Sequence, residues 1–207
     1  MIGKAKRPVR PIIVILSGPS ACGKTRIRNE LLKDYPFTFV VSSTTRAPRE
    51  DEVNGVDYDF ISCGEFLAKI AAGEFEEYEQ INDKFYGTPA LRWHLDKGTD
   101  LLLDVDVNGC EKLAHIAKLK PHLLTIFIVP RDTVNFTDIS ERLYKRKNIT
   151  IEEVHKRLRR APDEILRSVN FDHRVVNGHD FEATMTEIRA IIDERLGRVV
   201  RPVLESM

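Results

Sequence analysis

The chain has 207 residues, enough for one large domain with a proper core, and its 42% hydrophobic and 31% charged content is that of a globular protein. Lysine plus arginine and aspartate plus glutamate both number 32, so no net field attracts nucleic acid or an anionic membrane. The three cysteines (Cys22, Cys63, Cys110) are scattered and lack CxxC spacing, which argues for reduced thiols in a cytoplasmic setting and against a disulfide frame or zinc site.

Residues 1–10 are basic with no apolar core, a short tail rather than a secretory signal, and no later run approaches the ~20 apolar residues of a membrane span. The apolar run 12–16 predicts a buried strand, and it leads into Gly18-Pro19-Ser20-Ala21-Cys22-Gly23-Lys24-Thr25. That stretch fits G-x-x-x-x-G-K-[ST], the phosphate-binding loop between a strand and a helix. The glycines let the backbone curl so that successive N–H groups point into one concavity. Lys24 is placed to reach the β- and γ-phosphates of a nucleoside triphosphate, Thr25 to ligate Mg²⁺, and the following helix adds its positive end.

Residues 37–41 predict a short strand that ends in the hydroxyl- and arginine-rich loop 42–49. Asn54-Gly55 is a hairpin signal, and 56–61 alternates as an amphipathic strand. A short helix is expected over 63–72, an alternating strand over 74–82, and a helix starting at Tyr86-Gly87-Thr88-Pro89 and running to Leu95. The strand–helix alternation then resumes: a buried strand at 101–106 ending in Asp104 and Asp106, a helix over 108–117, and a continuous apolar strand at 123–129. Such runs imply a parallel sheet covered by helices on both faces, with ligands at the carboxyl ends of the strands. Residues 138–147 predict a helix carrying Arg142 and Arg146, and the capping box Thr150-Ile151-Glu152-Glu153 opens another carrying Arg157, which Pro162 should kink or end. A last strand (172–177) and a closing helix (181–196) complete the alternation.

Arg46, Arg49, Arg142, Arg146 and Arg157 come from separated segments yet can converge near the phosphate loop, and phosphoryl transfer requires forked cations around the moving group. An acid such as Asp104 or Asp106 at a strand end serves Mg²⁺ or a nucleotide hydroxyl, or caps the next helix.

Several motifs in order resemble the guanylate kinase family over residues 11–196. They are Ser17-Gly18-Pro19-Ser20, Val41-Ser42-Ser43-Thr44-Thr45-Arg46-Ala47-Pro48-Arg49, Asn54-Gly55-Val56-Asp57-Tyr58, Phe75-Glu76-Glu77-Tyr78, Phe85-Tyr86-Gly87-Thr88 and Leu103-Asp104-Val105-Asp106. The resemblance implies an α/β fold: a P-loop NTPase core with a parallel sheet flanked by helices (11–36, 98–130, 170–197), an inserted mixed α/β GMP-binding subdomain (37–90) and a helical lid (138–162). It implies transfer of the ATP γ-phosphate to GMP, and to dGMP, with Mg²⁺, by a monomer. Carried over by position, Lys24, Arg49, Arg146 and Arg157 are catalytic. Gly18, Pro19, Ser20, Ala21, Cys22, Gly23, Lys24, Thr25, Arg26, Arg142 and Asn177 bind ATP. Arg46, Arg49, Tyr58 and Tyr86 hold the GMP phosphate, Glu77 with Ser42 and Thr88 reads guanine, and Asp104 and Asp106 complete the GMP site. The chain departs from the family at Ala21, where a glycine is usual, at Thr88, where serine is commoner, and by extra residues between Arg131 and Asp138. A scaffold domain without turnover, or a related kinase with another phosphorylated acceptor, is the alternative.

Overall fold

The computed structural model describes residues 11–81, 83–147 and 149–198, and the basic tail lies outside them. In chain order the first half comprises β1 (Ile13–Ser17), α1 (Lys24–Asp34), β2 (Thr38–Phe39), β3 (Ser43–Thr44), β4 (Asp59–Phe60), α2 (Cys63–Ala71), β5 (Phe75–Ile81) and β6 (Lys84–Pro89). The second half comprises α3 (Arg92–Asp96), β7 (Leu101–Asp104), α4 (Val107–His115), β8 (Leu123–Pro130), α5 (Thr137–Tyr144), α6 (Ile151–Arg167), β9 (His173–Asn177) and α7 (Phe181–Arg195).

A five-stranded sheet in the order β2-β7-β1-β8-β9 is parallel throughout. Because strand side chains alternate, Ile12, Val14 and Leu16 enter one core with Ile27 and Leu31 of α1 and Met185, Ile188 and Ile192 of α7. Ile13 and Ile15 enter the opposite core with Val107, Cys110 and Leu113 of α4 and with Phe127 and Phe171. The sheet is therefore apolar on both faces, as its unbroken hydrophobic runs require. A second, mixed sheet runs β4-β3-β6-β5, with Phe66 of α2 stacked between Phe75 and Phe85.

Four local expectations are corrected. Residues 86–89 do not start a helix: they belong to β6, which pairs antiparallel with β5 around a turn where Asp83 has a left-handed φ of 61°, and the helix begins only at Arg92. The strand expected over 56–61 shrinks to Asp59–Phe60, because Asp57 accepts the Val53 N–H (3.0 Å) and pairs with Arg28 (2.7 Å), holding 53–57 as a turn. Asn54-Gly55 makes that turn, with Gly55 at φ 75°, but no hairpin: β3 and β4 run parallel. Within 37–90, Thr38–Phe39 pair with β7 in the five-stranded sheet, so that sheet reaches past residue 36.

Pro162 does not end its helix; α6 continues to Arg167. Val154 and Ala161 anchor α6 on its buried side, while Pro162 faces solvent, so the Leu158 carbonyl it leaves without a donor can be hydrated. Ile139 and Leu143 of α5 pack on Val154 and Ala161 of α6, and this small cluster also receives Phe136 and, from the phosphate loop, Ala21.

Candidate active site

The loop that joins β1 to α1 needs both of its glycines. Gly18 (φ 139°) and Gly23 (φ 103°) lie in the left-handed half of backbone space. A Cβ would sit 2.5 Å from the Ile128 carbonyl oxygen at Gly18, and 2.3 Å from Asn177 Nδ2 at Gly23. Ala21 shares the left-handed conformation (φ 66°), which an alanine adopts only at a cost. Asn177, at the end of β9, donates to the Cys22 carbonyl (2.7 Å), so its side chain braces the loop. Gly23 has no side chain to cap α1, which leaves the first N–H groups of that helix without intrahelical acceptors. Lys24 donates to the carbonyls of Gly18 (2.6 Å) and Pro19 (3.2 Å). Burial weighs against the charge of Lys24, but neighbouring Cys22, Asp104 and Glu164 outweigh it and hold its pKa above the ordinary value. Thr25 opens on the exposed side of α1.

Of the arginines expected to converge, Arg142 and Arg157 reach the loop, and Arg146 lies within electrostatic reach of Arg49, Arg157 and Arg46. Arg142 donates to the Ala21 carbonyl (3.1 Å), and Arg157 donates to Ser20 Oγ (2.9 Å) while its other edge pairs with Glu153. Arg146 lies just past α5, with Nη1 buried and without a partner. Burial, then Arg49 and Arg157, push its pKa down to about 10. Arg146 thus holds its charge against neighbouring arginines and near Lys24 at the start of α1, and an anion is what relieves it. Arg26, expected on the ATP side, has its guanidinium 3.6 Å from the Phe181 ring centroid.

Across the cleft, Arg46 is clasped by both oxygens of Glu52 (2.8 and 2.9 Å), and Arg49 shares the same carboxylate at 2.9 Å. Tyr58 and Tyr86 pack edge to face at 6.1 Å, with Arg46 lying over the Tyr58 ring at 5.4 Å. Burial raises the Tyr58 phenol above its usual range, so it stays protonated. Beyond them, Thr88 Oγ1 donates to Glu77 Oε1 (2.6 Å), while Glu77 Oε2 is buried with no hydrogen-bond partner. Burial raises the Glu77 pKa, opposed by the Thr88 bond and reinforced by Asp106. Ser42 is buried, and its carbonyl accepts the Asp59 N–H (2.9 Å). Asp104 closes β7, its carboxyl pushed up by burial and held down by Lys24. Asp106 caps α4 through Oδ1 (2.9 Å to the Gly109 N–H), leaving Oδ2 buried and without a hydrogen bond.

Four site residues were not legible beforehand. Glu52 sits in a charged turn that reads as solvated. Arg28, 6% exposed, ties α1 to Asp57. Arg160 and Glu164 share the Arg157 face of α6, a helical spacing that is the one signal they carried.

Fold and site together define a phosphate-loop nucleotide-binding protein with a group of acids, Asp104, Asp106 and Glu164, within electrostatic reach of the loop lysine. The guanylate kinase family model matches residues 10–195. The guanylate kinase of Clostridioides difficile is 37% identical over 193 residues, spanning 92% of this chain and 91% of that protein. That of Maricaulis maris is 37% identical over 201 residues, spanning 95% and 89%. The crystal structure of guanylate kinase from Anaplasma phagocytophilum superposes with a TM-score of 0.72 at 30% identity, covering 92% of this chain and 88% of that one. The chain belongs to the guanylate kinase family, and it is an enzyme.

Proposed function

We propose that the pocket around Glu77 takes the guanine of GMP and that the loop at Gly18 to Thr25 takes ATP, whose γ-phosphoryl group passes to the GMP phosphate. The observation that carries the acceptor assignment is Glu77 Oε2, buried and without a partner. An ionised carboxylate only accepts, and guanine offers two adjacent donors, N1–H and the 2-amino group, where adenine offers none. With Thr88 already on Oε1, a wrong base leaves Oε2 unpaired, which is how such a site discriminates.

Arg46, Arg49, Tyr58 and Tyr86 hold the acceptor phosphate, the phosphate replacing part of what Glu52 now supplies to the two arginines. Lys24, Arg146 and Arg157 neutralise the transferring group, with Arg142 supporting the loop. The acceptor oxygen is already ionised, so no general base is required. Asp104 and Asp106 complete the GMP side, while Thr25, Asn177 and the loop N–H groups serve ATP, apart from Pro19, which has none, and Cys22, whose N–H goes to the Pro19 carbonyl (3.2 Å). The segment around α5 and α6 acts as a lid, since it touches the loop through Arg142 and Arg157 and the opposite wall through Lys147–Glu50 (2.7 Å). Closure excludes water, so phosphate moves to GMP rather than being hydrolysed.

No group of three or more His, Cys, Asp or Glu among the described residues could cage a metal. Mg²⁺ keeps its waters and is held mainly by nucleotide phosphates with one or two protein ligands. Thr25, exposed at the start of α1, would be the protein ligand, and Mg²⁺ would offset charge on the β- and γ-phosphates. Among the described residues no helix is long and apolar enough to cross a membrane, and Cys22, Cys63 and Cys110 are free thiols.

The test is ADP release from Mg²⁺-ATP with GMP, dGMP, AMP, CMP and UMP offered separately. Turnover is expected with GMP and dGMP only. Glu77→Gln should raise KM for GMP by about 10- to 100-fold with KM for ATP unchanged, the cost of an unpaired buried donor or acceptor. Unchanged GMP kinetics would remove Glu77 from the base pocket.

A further inference from the structure

The acid pocket has a charge problem that its own walls do not solve. A Cβ on Gly109 would lie 3.2 Å from Glu77 Oε2 and 3.3 Å from Asp106 Oδ1, so the two carboxylates face each other across one backbone point. Each has an oxygen that is buried and lacks a hydrogen bond. Glu79 adds a further negative charge to both. The cations on the near side are committed elsewhere. Lys112 is taken by the Tyr78 carbonyl and by Glu79 (2.7 Å), and Lys24 by the loop carbonyls. The cation that meets the free oxygen of Asp106 comes instead from α6: Arg160 Nη2 stands 3.6 Å from Asp106 Oδ2, steered by Glu164 at 3.5 Å. Arg160 lies three residues beyond Arg157 on one helix face, so the turn that brings Arg157 to Ser20 also brings Arg160 to Asp106.

We infer that Arg160 is a positioning residue whose guanidinium supplies the countercharge to the Asp106–Glu77 pair, so that docking of α6 and binding of the guanine edge reinforce each other. This rests on the base-pocket reading above. Burial raises both carboxyls; Asp106 is lowered by Gly109, Arg160 and Lys24, and Glu77 by Thr88 and Lys112, while Glu164 on α6 and Asp106 repel each other. An ionised Asp106 without Arg160 beside it disfavours an ionised Glu77, and only ionised Glu77 accepts both guanine donors. The coupling is reciprocal: bound guanine favours the docked helix as much as the docked helix favours guanine.

The experiment measures KM for GMP and for ATP from pH 5.5 to 8.5 in the intact enzyme and in Arg160→Gln, Arg160→Lys, Asp106→Asn, Arg160→Gln/Asp106→Asn and Glu77→Gln. Asparagine keeps the helix cap. The GMP phosphate titrates near this range too, but identically for every variant. Removing a cation at this distance moves carboxyl titration up by about one pH unit. In Arg160→Gln the acid loss of GMP binding should therefore move to higher pH by about that much, a roughly tenfold rise in KM for GMP at the acid end. KM for ATP should stay put, Arg160→Lys should restore most of the profile, and Arg160→Gln should add nothing in the Asp106→Asn background.

A parallel rise in both KM values at all pH, with no shift of the GMP profile, would reduce Arg160 to a lid contact and overturn the inference. A full effect persisting in the Asp106→Asn background would overturn it as well. If Glu77→Gln leaves GMP binding untouched, the base-pocket reading itself has failed. If Glu77→Gln weakens GMP and Arg160→Gln shifts nothing, the inference alone has failed.

Discussion

Ala21 puts two small energies in opposition. Held at φ 66°, its backbone is strained by roughly 1 kcal/mol relative to glycine, while its half-buried methyl, packed on the α5–α6 cluster, returns less than about 0.8 kcal/mol. The backbone wins. Ala21→Gly should leave turnover equal or higher, with an equal or slightly higher melting temperature; a large loss of activity would mean that the methyl contact holds the lid in register. Arg146 trades stability for charge. Its folded pKa is below its unfolded one, so the unfolded chain binds more protons between pH 10 and the ordinary arginine value, and below about pH 10 the charged group weakens the apo fold. Arg146→Met should therefore keep or raise the apo melting temperature while kcat falls by about 10³-fold, the scale of a lost phosphoryl-contacting arginine. Calorimetry alongside the kinase assay checks both halves, and a destabilised apo variant would show that Arg146 has a partner in the free enzyme.

At the scale of elements, α6 is where local rules and tertiary packing disagree. Proline inside a helix costs about 3 kcal/mol, and sequence rules end the helix there. Packing of Val154 and Ala161 carries it through, and Arg157, Arg160 and Glu164 stay on one rigid face. Pro162→Ala should restore one helix bond and raise thermal stability by about 1–3 kcal/mol, less than the full propensity cost because proline also restricts the unfolded chain. A fall in stability would indicate that the proline sets the helix's path. The β5–β6 hairpin is the other reversal. Tyr86-Gly87-Thr88-Pro89 looks like a helix entry, yet Thr88 must stand opposite Glu77, and only the antiparallel register of β6 with β5 puts it there.

Over the whole molecule, free N–H groups at α1, an unpaired Arg146 and an unpaired Glu77 oxygen leave the apo enzyme short of its full stability. Ligands should recover it. At 100 times Kd a nucleotide adds about 2.7 kcal/mol, a rise of roughly 5–10 °C in melting temperature for a chain of this length. GMP and Mg²⁺-ATP together should exceed either alone. Lys24→Met should abolish turnover, keep the GMP shift and lose most of the ATP shift; loss of the GMP shift as well would show a misfolded variant.

The phosphate loop, the two-faced apolar strands and the arginine–hydroxyl loop were legible because each is a local pattern whose chemistry demands those residue types at that spacing. That determined the fold class, the nucleotide loop and the family. What needed the tertiary structure was the choice among residues of like charge: Arg26 stacks on Phe181, whereas Arg146 has a buried Nη1 without a hydrogen-bond partner. Glu52, Arg160 and Glu164, which no motif singles out, prove to be ion-pair partners: Glu52 of Arg46, and Arg160 of Asp106 and Glu164. Charge in a sequence has no address: the partner can lie close in the chain, as Arg46 does to Glu52, or far along it, as Asp106 does to Arg160, and only the folded chain decides which groups are buried together.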